Sequence, residues 1–328
     1  MKGSVPPIRI TNANDHTVNP GGGFVLYWMI AYRRTRWNFS LQRAVDWAKE
    51  LGKPLVILEA LRVGYPYAGN RLHRFILEGM ARNAQQLENR NVVYYPYVEP
   101  KPHEGKGLLE TLSKKACVII TDDFPAFFLP RMVASASRKV PVLMEKVDSN
   151  GLLPMGVADR IYPTAYTFRR FLQKVLPDHL IDGPQEDPLK RLKLPGMHAF
   201  QDKIRKTWPP ASPVILKGEA KVLASLPIDH DVEVVARQGG SKAAYETLTE
   251  FTENRLFHYD EKRNQPEEEV TSGLSPYLHF GHISAHEVFH RIMEKEAWFF
   301  DRLSEKATGR RSGWWGMSES AEAFLDQL

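Results

Sequence analysis

Apolar residues in the first half of the chain gather into short runs, and stretches of helical period separate them. Residues 24–30 form a continuous apolar run, as expected of a strand covered on both faces. Leu41, Ala44, Val45, Ala48 and Leu51 then fall on one helical face, and Gly52 with Pro54 marks its end. The alternation repeats. Further strands are expected at 54–58, 92–95, 117–120 and 142–144, and further helices at 71–87, 108–115 and 125–138. Strand and helix taking turns in this way predicts an α/β fold, a doubly wound parallel sheet with helices on both faces. Ligands of such sheets sit at the carboxyl ends of the strands. A G-x-G-x-x-G fingerprint follows none of these strands, and Gly21, Gly22 and Gly23 precede the first one. That argues against an NAD-linked enzyme.

The pattern then changes. Prolines crowd residues 150–212, among them Pro154, Pro163, Pro184, Pro188, Pro195, Pro209, Pro210 and Pro213 just beyond. Strand periodicity is lost there, which reads as a long connection with short helices, one of them at 167–175. From Lys242 onward the spacing is helical. Ala243, Thr247, Leu248, Phe251 and Leu256 suggest one helix, and residues 285–300 another. The expected organisation is an α/β domain at 22–150, a linker at 151–212 and a helical domain at 213–328. The final segment, 321–328, is amphipathic and carries no Gly, Asn or Pro stop, so the reading expects the helical domain to be incomplete.

Composition narrows the picture only a little. Hydrophobic residues are 43% and charged residues 25% of the chain, which excludes a mainly disordered polypeptide. A net charge of +5 is compatible with a polyanionic partner without requiring one. One cysteine, Cys117, sits in an apolar run, so an internal disulfide or a cysteine zinc cluster is ruled out. The N-terminal residues lack the apolar core of a signal peptide, and the longest apolar stretch falls far short of the roughly 20 residues of a membrane span. The expectation is a soluble cytoplasmic monomer.

Four local motifs could carry chemistry. His286-Glu287-Val288-Phe289-His290 matches H-E-x-x-H, which can hold zinc between two histidines while the glutamate acts as base. His282 lies a turn before it, and Glu319 or Glu322 could supply a further ligand. An amphipathic helix with polar histidines explains the same residues. His279-Phe280-Gly281-His282 resembles the H-x-G-H element of nucleotidyl-transferring synthetases, but lies far from any strand. Arg33-Arg34-Thr35-Arg36-Trp37 could meet phosphates or pair with neighbouring acids. Thr271-Ser272-Gly273-Leu274-Ser275 offers three hydroxyls and a glycine at a helix entry. That arrangement can cradle a pyrophosphate or simply cap the helix. Tyr259 and Arg263 could add a hydrogen bond and a charge.

Several segments together resemble one family. Tyr27-Trp28-Met29, the run from Arg33 to Asn38, and Leu58-Glu59-Ala60-Leu61-Arg62 resemble the antenna domain of class II cyclobutane pyrimidine dimer photolyases. Leu274 to Ser284 resembles their flavin-binding signature, and Gly313-Trp314-Trp315-Gly316-Met317 with Phe324 to Leu328 fits the stretch that follows. The resemblance implies an N-terminal α/β domain, a linker and a helical FAD domain. It implies light-driven repair of pyrimidine dimers in UV-damaged DNA by an electron from reduced FAD, with an antenna chromophore of unspecified identity. By position, Tyr259 and Arg263 would contact the flavin, and Thr271, Ser272, Gly273, Leu274 and Ser275 would wrap its phosphates. Gln327 falls where photolyases often place a catalytic glutamate. His286, Glu287 and His290 would then lie on a helix with no catalytic role, leaving a zinc hydrolase or a non-enzymatic remnant as alternatives. The family continues well beyond residue 328, so the resemblance also implies a truncated chain of doubtful activity.

Overall fold

The computed structural model describes residues 5–197, 200 and 202–328. The first four residues, part of the signal-peptide argument, lie outside it. Six strands form one sheet: β1 (Ile10–Asn12), β2 (Phe24–Met29), β3 (Leu55–Leu61), β4 (Val93–Val98), β5 (Ala116–Asp122) and β6 (Met144–Val147). Their order is β1-β6-β5-β2-β3-β4; β1 runs antiparallel to β6 and all other neighbours are parallel. Every residue of β2 and β5 is buried, which is why their sequences show no alternation.

Four helices connect the parallel strands: α1 (Phe39–Leu51), α2 (Asn70–Leu87), α3 (Leu108–Ser113) and α4 (Leu129–Ser137). The Asn38 side chain accepts from the Leu41 amide to start α1, and Gly52 at φ 61° ends it. Alternate residues of β2 serve opposite cores. Val25, Tyr27 and Met29 pack with Leu41, Ala44 and Val45 of α1. Leu26 and Trp28 pack with Leu108 and Leu112 of α3 and Val133 of α4. The doubly wound sheet of the sequence reading is therefore present.

Two strands depart from that reading. β6 lies at 144–147 rather than 142–144, and its Glu145 and Lys146 hide it from an apolar count. Arg43 pairs with both oxygens of Glu145, the Trp47 indole N–H donates to one of them, and Asp123 pairs with Lys146. The three-residue β1, ahead of residue 22, is too short to leave a periodic signal. It is held beside the buried Arg9, whose guanidinium donates to the carbonyls of Gly151 and Leu152.

The proline-rich stretch does more than connect. Leu189 and Leu194 pack on the α1 side of the sheet, whereas Phe200 and Ile204 enter the opposite core. Phe200 meets Phe24 and Tyr95 edge to face, with centroids 5.7 and 5.1 Å away. The helix expected at 167–175 spans Ala165–Val175, with Thr164 as its cap.

Beyond residue 240 the chain is helical. Ser241–Glu250 continues through a π turn at Phe251–Arg255, and the Ala285–Lys295 helix stops five residues early, where Ala297 takes a φ of 44°. The Glu319–Leu325 helix packs Phe324 against Phe251 and Tyr259. Phe324 and Leu325 are buried, so the apolar side of this amphipathic segment packs against the rest of the helices. Among the described residues no helix is long and apolar enough to cross a membrane.

Candidate functional site

The crevice between β2 and β5 is the switch point of the sheet, where doubly wound folds bind ligands. Here a side chain of the protein fills it. Asp122 Oδ2 accepts from the amides of Ile30, Ala31 and Tyr32 at 2.9, 2.7 and 2.9 Å, and its Oδ1 accepts from the Tyr27 hydroxyl at 2.7 Å. The amides that would greet a phosphate already hold a carboxylate.

The basic run after β2 is likewise committed. Arg33 pairs with the buried Glu59 at 3.0 Å, Arg36 pairs with Glu186, and Arg34 donates to the carbonyls of Gly281 and Ser149. The phosphate-binding reading of this run gives way to a structural one. Trp37, at φ 49°, lies 5.1 Å from the His290 ring and lines a cleft of about 1350 Å³ with Arg90, Ile181 and Lys190.

His279 to His282 forms the joint between sheet and helices. Gly281 has φ 70°, and a Cβ there would sit 1.9 Å from the Ala31 carbonyl oxygen, a contact only glycine permits. His282 stacks on Phe75 with centroids 4.9 Å apart, and its Nδ1 accepts from the Gly240 amide at 2.9 Å. Burial, with Arg33 and Arg34 nearby, pushes its pKa down to about 3, so the ring is neutral.

The H-E-x-x-H helix also faces this seam. His286 is buried with its ring edge to Phe39, and burial holds its pKa well below the usual histidine range. Burial raises the Glu287 carboxyl, against the pull of Arg34 and Arg36. Glu322, weighed above as a metal ligand, accepts instead from the amides of Gly313, Trp314, Gly316 and Met317. Among the described residues no group of three or more His, Cys, Asp or Glu side chains is placed to hold a metal.

The hydroxyl turn is built differently. Leu274 is buried and anchors it, whereas Thr271 and Ser275 are exposed. The Ser272 hydroxyl accepts from the Leu274 amide at 3.3 Å, and Gly273 takes a φ of 68° against Thr247. Two guanidiniums brace the turn from outside: Arg255 donates to the Thr271 carbonyl at 2.7 Å, and Arg237 to the Gly273 carbonyl at 3.2 Å. Phe251 links this group to the other predicted pair. Arg255 lies over its ring at 5.9 Å, and Tyr259 meets its edge at 5.8 Å. Arg263 sits 5.5 Å over Tyr259 and donates to the Ala323 carbonyl at 3.1 Å. Gln327 is exposed at the end of the same helix, its amide bonded to the Phe324 carbonyl. Sequence spacing did not reveal Arg237 and Arg255, which lie 34 and 16 residues ahead of Thr271. Arg255 is also paired with Glu250, so the hydroxyls, the left-handed glycine and Arg237 make up the donor set that suits a phosphate-bearing group.

Comparison with known proteins supports the photolyase/cryptochrome family. The chain is 27% identical over 278 residues to a deoxyribodipyrimidine photo-lyase of Methanothermobacter thermautotrophicus, covering 84% of this chain and 57% of that protein. It is 28% identical over 290 residues to the photo-lyase of the same name from Arabidopsis thaliana, covering 87% of this chain and 54% of that protein. The chain thus spans a little over half the length of these relatives. No family model matches it. Among solved structures, a bacterial class III photolyase from Agrobacterium tumefaciens shares the fold, with a TM-score of 0.61 and 18% identity over 93% of this chain and 57% of that one.

Proposed function

We propose that this chain belongs to a deoxyribodipyrimidine photo-lyase, a flavoprotein that repairs pyrimidine dimers in UV-damaged DNA with light. The observation that carries the reading is the Thr271–Ser275 turn, held by Arg237 and Arg255 beside the Phe251, Tyr259 and Arg263 group. FAD, when bound and reduced, supplies the light-excited electron that opens the dimer. The hydroxyls of Thr271, Ser272 and Ser275, with the neighbouring Arg237 guanidinium, would hold its phosphates. Tyr259 and Arg263 would contact the rest of the cofactor. The finer assignment to class II rests on the residues from Leu274 to Ser284 and on Gly313 to Met317. Gln327 remains the proposed catalytic position. An antenna chromophore would find room in the cleft beside Trp37.

A zinc hydrolase using His286, Glu287 and His290 is less favoured. His286 is buried against Phe39, and His290 pairs with Glu294 at 3.6 Å.

The test is FAD titration of the 328-residue protein, followed by flavin fluorescence anisotropy. Arg263→Ala and Ser275→Ala should each weaken binding about ten- to a hundred-fold, the worth of a charged hydrogen bond. Equal affinity in both variants and the parent would overturn the assignment.

A further inference from the structure

Asn150–Gly151 is the only asparagine–glycine pair in the chain. It lies just past β6, in the loop that opens the linker. The pairing matters chemically. An asparagine carboxamide is open to attack by the amide nitrogen of the residue that follows, and glycine, lacking a Cβ, leaves that nitrogen unshielded and its backbone free to turn.

The structure leaves both reacting groups loose. Asn150 is exposed, and the contact its carboxamide makes is a 3.7 Å approach of Nδ2 to the Met155 sulfur, a weak acceptor. The Gly151 amide donates to no acceptor among the described residues. Asn38 and Asn83 differ on every count: both are buried, their side chains are bonded, and the residues after them are Phe39 and Ala84.

The same loop holds two buried arginines. The Arg9 guanidinium donates to the carbonyls of Gly151 and Leu152 at 3.2 and 2.8 Å, with Asp148 Oδ2 3.5 Å away. Ser149 accepts from Arg34 at its carbonyl and at its hydroxyl, each at 3.2 Å, and Arg34 also reaches the Gly281 carbonyl across the joint with the helices. A change of main-chain length between Ser149 and Leu152 is therefore felt at both cations.

We propose that Asn150 is a site of spontaneous deamidation, and that the modified chain loses the hold of Arg9 on the start of the linker. The Gly151 nitrogen bonds to Asn150 Cγ and gives up its proton. The Cγ–Nδ2 bond breaks, and ammonia leaves with that proton. The cyclic imide then adds water. Opening at one carbonyl yields aspartate at 150. Opening at the other yields isoaspartate, whose main chain runs through Cβ and Cγ and is longer by a methylene. Water is the sole co-reactant and nothing is oxidised or reduced. The lengthened chain displaces the Gly151 and Leu152 carbonyls together, and a buried guanidinium stripped of acceptors destabilises the fold. None of this depends on flavin or DNA.

The experiment incubates the 328-residue protein at mildly alkaline pH, below its unfolding temperature, and samples it over weeks. Tryptic peptides are compared with a zero-time control by liquid chromatography and mass spectrometry. Peptide 147–160, bounded by cleavage after Lys146 and Arg160, should gain the mass of an amide-to-acid exchange ahead of every other asparagine-containing peptide. The new mass should divide into two chromatographic forms. Over the same period the Tm should fall by about 3 °C or more, the scale of a lost charged hydrogen bond. Asn150→Gln should keep both its mass and its Tm. Gly151→Ala, whose methyl would meet the Leu153 carbonyl oxygen at an ordinary 3.7 Å, should fold like the parent and react more slowly. Asn150→Asp adds the charge without lengthening the chain and should keep the Tm of fresh parent. A 147–160 peptide that stays unmodified while other asparagines change would overturn the proposal. So would a modified peptide with an unshifted Tm, or an Asn150→Asp protein already as unstable as the aged parent.

Discussion

Acid should loosen the joint between sheet and helices before it disturbs the sheet. His282 is buried there as a neutral ring, its Nδ1 accepting from Gly240, and it titrates at about 3 against 6.5 for an ordinary histidine. The folded pKa is depressed, so below pH 6.5 the unfolded chain takes up the proton and the folded one refuses it. The stability tied to this neutral ring is intact above pH 6.5 and drains as pH falls toward 3. At pH 5 the unfolded group is favoured by about 1.5 logarithmic units, or about 2 kcal/mol. Urea unfolding of the whole protein at pH 7.5 and pH 5.0, followed by tryptophan fluorescence, reads this directly. The parent should lose at least that much between the two conditions. His282→Gln should lose about 2 kcal/mol less than the parent over the same interval, whatever its stability at pH 7.5. Parallel pH dependence in the two proteins would refute the claim that His282 is a buried neutral acceptor.

Other perturbations have equally definite outcomes. His73, whose pKa burial lowers to about 4, should behave alike: His73→Gln should remove a further fraction of the acid sensitivity in the same urea assay. Gly281→Ala places a methyl group 1.9 Å from the Ala31 carbonyl in a left-handed backbone, and should cost well over about 2 kcal/mol by thermal or urea unfolding. Glu322→Ala leaves four amides of the Gly313–Met317 loop without their acceptor and should erase near-ultraviolet dichroism from Trp314 and Trp315. Unchanged dichroism would show that the loop holds itself.

The sequence alone determined the elements that pay for themselves locally. Buried parallel strands must be apolar along their whole length, so β2, β3 and β5 were legible, as were α1 and α2 with their one-sided faces. The hydroxyl turn at 271–275 was legible too, since its glycine and serines act over a few residues. Whatever depends on a distant partner was hidden. β6 carries Glu145 and Lys146, which become acceptable in a strand only because Arg43, Trp47 and Asp123 arrive from elsewhere. Arg33, Arg34 and Arg36 read equally well as phosphate ligands until Glu59, Gly281 and Glu186 claimed them. Asp122 lies beyond the strand expected at 117–120 and no local pattern marks it, yet it closes the crevice where a ligand would bind. Arg237 and Arg255 become part of the candidate site only through the packing of the Phe251 helix. A short-range pattern reports hydrogen bonds and burial within a few turns of chain; the destination of a charge is set by which surfaces meet, and only the tertiary structure decides that.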